Sequence, residues 1–259
     1  MKIILIFLLS GFICASCQVK KMTKISLVGL ETNMYIVDHG SGAIFDLKND
    51  TNLIANSNNV ILYRTTIKST IYNSRALTKG QIQISDDPET IKSKSFSHQY
   101  FLHKTNKISG IRFEDGANVN KKYLFNVDSL LLQNPILKGG SADFDDNSIF
   151  LSKNTTPDGL IQETYVYKSS PLGNYPDTTY LVFDPKWKNS TKYTLSQNID
   201  KVKKMKLIQV RSVFNPIHKE INKRKLEIPR RIIDVRMFEP TLSALELMKI
   251  RKAFENFGS

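Results

Sequence analysis

The residues best placed to do chemistry are Asp38, Gly40 and Ser41, within Tyr35-Ile36-Val37-Asp38-His39-Gly40-Ser41-Gly42-Ala43-Ile44-Phe45. Apolar residues lead into the carboxylate and resume after Gly42, so a strand delivers the acid into a tight turn that glycine permits. A carboxyl group held in this way can serve as a general acid or base. The same residues also spell a plain hairpin, two strands joined by a His-Gly-Ser-Gly turn. Other constellations fall short of a site. Asp143, Asp145, Asp146 and Asn147 crowd together. They fail calcium-loop spacing, since Ser148 stands where Gly is needed and Asn154 where Glu is needed. His98 and His103 are five apart, which would put them on opposite faces of a strand and poorly aligned on a helix, with His39 and His218 elsewhere. No metal site is expected from them. Gly140-Ser141 lacks the Gly-x-Ser-x-Gly elbow of a serine hydrolase, and no Gly-rich phosphate loop occurs. No cofactor is expected.

Asp38, Gly40 and Ser41 with their apolar flanks resemble the catalytic loop of aspartic peptidases, above all the single-lobed, retropepsin-like group found among bacterial lipoproteins. The resemblance implies that Asp38 is the acid, Gly40 the turn, and Ser41 the hydroxyl supporting the carboxylate. Two such aspartates share one proton, because both cannot ionise at close range, and together they activate a water. His39 stands where the family has Thr or Ser. Segments Lys122–Leu130 and Pro157–Ile161 loosely echo later strands of the group, with Gln162 where its second glycine falls. The chain has no second Asp-x-Gly, so activity on a peptide substrate implies a homodimer, and the departures allow an inactive relative.

The N-terminus carries a second resemblance. Lys2, the apolar run Ile3–Leu9 and the small residues before Cys17 make a secretory signal, too short to span a membrane. Ala15-Ser16-Cys17 resembles the lipobox of bacterial lipoproteins, which implies a signal over residues 1–16, acylation of Cys17 and a tether over 17–23. Gln18 after the cysteine, by resemblance to lipoprotein sorting, implies the outer membrane, facing the periplasm. Cys14 and Cys17 are the two cysteines of the chain. Once the first is cleaved off and the second acylated, disulfides, thiolate ligands and cysteine nucleophiles are excluded.

The net charge of +13 is uneven: residues 186–259 hold 18 Lys and Arg against 7 Asp and Glu. Its clusters are Lys201-Val-Lys-Lys-Met-Lys206, Lys223-Arg224-Lys225 and Arg230-Arg231. Of these, Lys223, Arg224, Lys225, Arg230 and Arg231 are the candidates for contact with anionic lipid headgroups, at about 1 kcal/mol per basic residue near a charged membrane. A solvated basic face is the plainer explanation. Nucleic acid is not expected, because no stacking-aromatic motif accompanies the charge. From charge alone, the competing expectation to a peptidase is a non-catalytic envelope protein that binds an anionic component or a protein partner.

The elements that must position these residues read mostly as strands. Ile61, Tyr63, Thr65, Ile67, Ser69 and Ile71 alternate with Leu62, Arg64, Thr66, Lys68 and Thr70, the period of a half-buried strand. Ile82–Ile84, Tyr123–Val127, Tyr165–Tyr167 and Tyr180–Phe183 are shorter pieces of the same kind. Near the end, Ser243-Ala244-Leu245-Glu246 spells a capping box, and Leu247, Ile250, Phe254 and Phe257 then form one stripe. The expectation is a mostly β protein with a C-terminal helix, α+β overall. A curved or closed sheet of short strands is expected over 24–184, followed by a basic α+β portion over 185–259 ending in that helix.

Overall fold

The computed structural model describes residues 24–37, 44–72, 75–76, 82–83, 91–114, 122–140, 147–168, 176–188, 191–221 and 224–258. Six strands run outward in sequence from the middle of the sheet. They are β1 (Ser26–Val37), β2 (Ile44–Ser57), β3 (Val60–Tyr72), β6 (Ile91–Lys104), β7 (Ser109–Glu114) and β8 (Tyr123–Asn126). The small ladder β4 (Arg75–Ala76) with β5 (Ile82–Gln83) lies in the β3–β6 connection. Two short helices follow, α1 (Val127–Gln133) and α2 (Pro135–Lys138). The chain re-enters the sheet at its opposite edge with β9 (Ser148–Thr155), then β10 (Ile161–Tyr167) and β11 (Thr178–Asp184). Helix α3 (Gln197–Lys203) leads into β12 (Lys206–Phe214), and the separate hairpin β13 (Ile217–Ile221) and β14 (Arg224–Ile228) leads into β15 (Arg231–Phe238). Helix α4 (Ala244–Gly258) comes last.

The result is one eleven-stranded antiparallel sheet, in the order β8-β7-β6-β3-β2-β1-β15-β12-β11-β10-β9. Two meanders thus meet where the first strand pairs with the last, Leu30 opposite Met237. The mostly β class and the C-terminal helix stand as expected, but the sheet is neither closed nor strongly curled. Closure would require β8 and β9, the two edges, to pair, whereas α1 and α2 occupy the connection between them. Nor are the strands uniformly short: β1, β2, β3 and β6 run for 12 to 14 residues. Residues beyond 185 supply β12 and β15, which lie between β11 and β1 in the same sheet.

Alternation along each strand assigns side chains to two faces. On the front face Val28, Leu30, Ile54, Tyr63, Phe101, Leu181, Phe183, Val235 and Met237 form one core. It is covered by Leu130 and Leu137 of the first two helices and by Tyr193, Leu195 and Ile199. On the back face Leu53, Ala55, Val60, Leu62, Tyr100 and Leu102 form a second core under Ile250 of α4, with Ala253, Phe254 and Phe257 against it. The middle of the sheet is therefore covered on both sides. This is why β3 is not half-buried as its alternation suggests: Leu62 and Tyr63, pointing opposite ways, are both buried.

The coverings are tied down by polar contacts. The capping box at α4 forms as spelled: the Ser243 amide donates to Glu246 Oε2 at 3.0 Å, and the Glu246 amide donates to Ser243 Oγ at 3.2 Å. The other oxygen of Glu246 takes Arg64 from the sheet at 3.1 Å. Bonds from the Ser243 hydroxyl and amide, helped by Arg64, hold the Glu246 carboxyl below its ordinary value. On the front, Ser196 caps α3 by accepting the Ile199 amide, and Lys204 closes it in the left-handed conformation. Asp200 accepts from Thr194 Oγ1, the Leu207 amide and Lys206 Nζ, fixing α3 to the start of β12.

Candidate functional site

Three of the residues singled out by type and spacing, Asp38, Gly40 and Ser41, lie outside the described residues, as do His39, Cys17 and Lys223. Their flanks are described: Val37 pairs with Ile44, so the stretch 38–43 connects two antiparallel strands. Gln162 lies in β10 between Val182 and Asn154, within two ladders. Pro157–Gly159 form the β9–β10 turn, where Gly159 takes a φ of 84° and Thr156 Oγ1 receives the Leu160 amide. Asn126 ends β8, and Val127, expected to be strand, begins α1 instead. Arg224 and Lys225 lie in β14 opposite Ile221 and Glu220. Arg230 is exposed, and Arg231 places its guanidinium 4.7 Å from the Phe214 ring centroid.

The structure brings together a different group. A cleft of about 340 Å³ opens on the front face between α1 and the β2, β3, β6 and β7 strands, within the size range of small-ligand sites. Its floor carries Asn52, Thr65 and Gln99, its aromatic wall Phe101 and Phe125, and its helical rim Asn126, Ser129, Gln133 and Asn134. Arg112 is the one charged side chain of this lining.

Each wall has a local cause. Phe125 can lie over the sheet because it faces Gly110 across the β7–β8 ladder, where an added Cβ would strike the Phe125 ring and the Leu102 carbonyl. The Phe125 ring meets Phe101 edge-on at 5.2 Å. Several amides are held by one end. Asn126 Oδ1 caps α1 by accepting the Ser129 amide at 2.9 Å, leaving its N–H donors for the cleft. Asn134 Nδ2 donates to the Leu130 carbonyl at 3.2 Å, leaving its oxygen as an acceptor. Gln99 Nε2 donates to Glu114 at 2.8 Å, again leaving the oxygen. Arg112 lies 5.5 Å from the Tyr123 ring centroid, and its Nε is buried without a hydrogen-bond partner. No carboxylate among the described residues pairs with it. The arrangement can hold a polar ligand by fixed donors and acceptors, with aromatic edges against its apolar faces.

A second polar cluster lies at the other end of the front face. Lys203 Nζ reaches Glu163 Oε2 at 2.6 Å and Tyr165 Oη at 3.0 Å, while Tyr165 donates to the same Glu163 oxygen at 2.7 Å. Burial pulls the Lys203 ammonium down, but the bonds to Glu163 and Tyr165 outweigh it and hold the group above its ordinary value. This cluster pins α3 to β10.

Comparison of the chain with family models, with curated proteins and with solved structures returns no match. Spacing missed the cleft because its residues come from six elements between positions 52 and 134. The one local signal was Gly110 in a strand, a mark of close approach by another group.

Proposed function

We propose that this chain is a lipid-anchored envelope protein that works by binding, with its ligand seated in the cleft beneath α1. The observation that supports this reading is the cleft itself: amide groups fixed by one end, on strands and a capped helix, facing a common space. Such preset polar groups on rigid elements are what a selective binding site requires. Acylation of Cys17 would hold the sheet on a short tether at the outer membrane, facing the periplasm. Lys223, Arg224, Lys225, Arg230 and Arg231 would add attraction to anionic headgroups.

One observation favours a second reading, a retropepsin-like peptidase. The pairing of Val37 with Ile44 supports it, since the resemblance implies an acid carried on a turn between two strands. Catalysis would then need a homodimer to bring a second Asp38 to the first. The two readings part in one experiment. The mature chain, with Cys17→Ser, is incubated with a diverse peptide mixture from about pH 3 to 7, spanning ordinary carboxyl pKa values, beside an Asp38→Asn variant. Binding without catalysis predicts identical peptide spectra for the two proteins. Cleavage that vanishes in Asp38→Asn would replace the binding reading with the peptidase.

A further inference from the structure

The cleft reading can be carried to a ligand class, and the inference rests on that reading. The geometry points to an acidic saccharide, a polyhydroxylated ring bearing one carboxylate, with Arg112 as the residue that reads the carboxylate.

The lining sorts the possible ligands. Asn126, Ser129, Gln133 and Asn134 offer donors and acceptors but no charge, which suits hydroxyl groups that both donate and accept. Phe101 and Phe125 present apolar ring surface beside them, and sugar rings have C–H faces to set against it. An apolar ligand would leave this many polar groups desolvated and unpaired.

Charge narrows the class further. Arg112 is the single cation of the lining, and no described carboxylate neutralises it. A guanidinium without an anion takes a planar carboxylate by two parallel hydrogen bonds. One cation balances one carboxylate, whereas a phosphate dianion would leave charge unmatched. Glu114, two residues along the same strand, bonds Gln99 instead, so the acid nearest in sequence is engaged elsewhere.

The test compares glucuronate with glucose, which differ in the carboxylate alone, by NMR titration of the mature Cys17→Ser chain. Inorganic phosphate is titrated as a third probe. Wild type is expected to bind glucuronate about ten- to a hundredfold more tightly than glucose, the worth of hydrogen bonds to a charged group. Arg112→Gln is expected to remove that preference, with an amide spectrum unchanged away from the cleft showing that the variant is folded. Arg112→Lys, which keeps the charge but loses the fork, is expected to recover only part of it. Equal binding of the two sugars would overturn the acidic class while leaving the cleft reading in place. Tighter binding of phosphate at the same shifted residues would overturn the carboxylate. Binding of neither sugar would overturn the saccharide.

Discussion

At the scale of single residues, the described groups with displaced pKa values serve the fold. His103 is buried on the front face with its ring stacked on Tyr63 at 5.7 Å. Burial lowers its pKa from 6.5, even though backbone hydrogen bonds to Lys104 and Lys107 act the other way. Tyr63 beneath it is pushed up to about 12 by burial. Because the folded chain resists protonating His103, the unfolded chain takes up the proton first, and stability is lost as pH falls below about 6.5. His103→Gln is therefore expected to flatten the fall in urea midpoint between about pH 7 and pH 5, whatever its effect at neutral pH. A slope identical to wild type would mean that another group titrates there. Sequence spacing correctly separated His98 from His103: they lie five apart on one strand, His98 near Thr66 on the back face and His103 against Tyr63 on the front. It gave no sign that His103 would be buried, because its neighbour Tyr63 lies forty residues away in sequence.

Elements show which local signals can be trusted. The α4 capping box and its apolar stripe were legible because all their parts lie within fifteen residues, and both form. Ser243→Ala is expected to cost about 1 kcal/mol, as loss of an N-cap does, measured by denaturant unfolding. Glu246 adds a pH dependence whose sign follows from its lowered pKa. The stability it contributes is present above the ordinary carboxyl value of 4.5 and is lost as pH falls through the lower folded value. The short helices α1 and α3 were not legible. Each has seven residues, too few to display a period, and owes its existence to side-chain caps from Asn126 and Ser196 and to burial of Leu130 and Ile199. The Glu163–Lys203 pair was equally invisible, since it joins residues forty apart. Lys203→Met is expected to cost about 3–5 kcal/mol, because it leaves the buried Glu163 unpaired. Adding Glu163→Gln should recover most of that loss. A double variant as unstable as the single one would show that Lys203 acts through packing instead.

At the scale of the whole molecule, the chain lays down six strands outward from the centre, crosses by two helices to the far edge, and returns to pair β15 with β1. Alternation along single strands reveals the mostly β class but carries no information on strand order. The open form of the sheet therefore could not be read from it. The same long-range order creates the cleft, since β2, β3, β6 and β7 become neighbours only in the finished sheet and α1 lies over them only because the crossover starts at β8. Helix α4 ties the two halves: it leaves β15 and packs its Ile250 on the back of the first meander. Ile250→Ala is thus expected to lower stability by about 2–5 kcal/mol. Loss in one cooperative transition would indicate that both meanders unfold together.

The proposed seat of the ligand, the front-face cleft, can be checked by hydrogen exchange of the mature Cys17→Ser chain, with and without a solubilised glycan and lipid extract of bacterial envelope. Binding in the cleft predicts new protection in α1 and in β3, β6 and β7 around Thr65, Gln99 and Arg112, with residues 224–231 unchanged. Protection confined to 224–231, or to the strand ends flanking 38–43, would contradict it and move the site to the basic stretch or to the Asp38 turn.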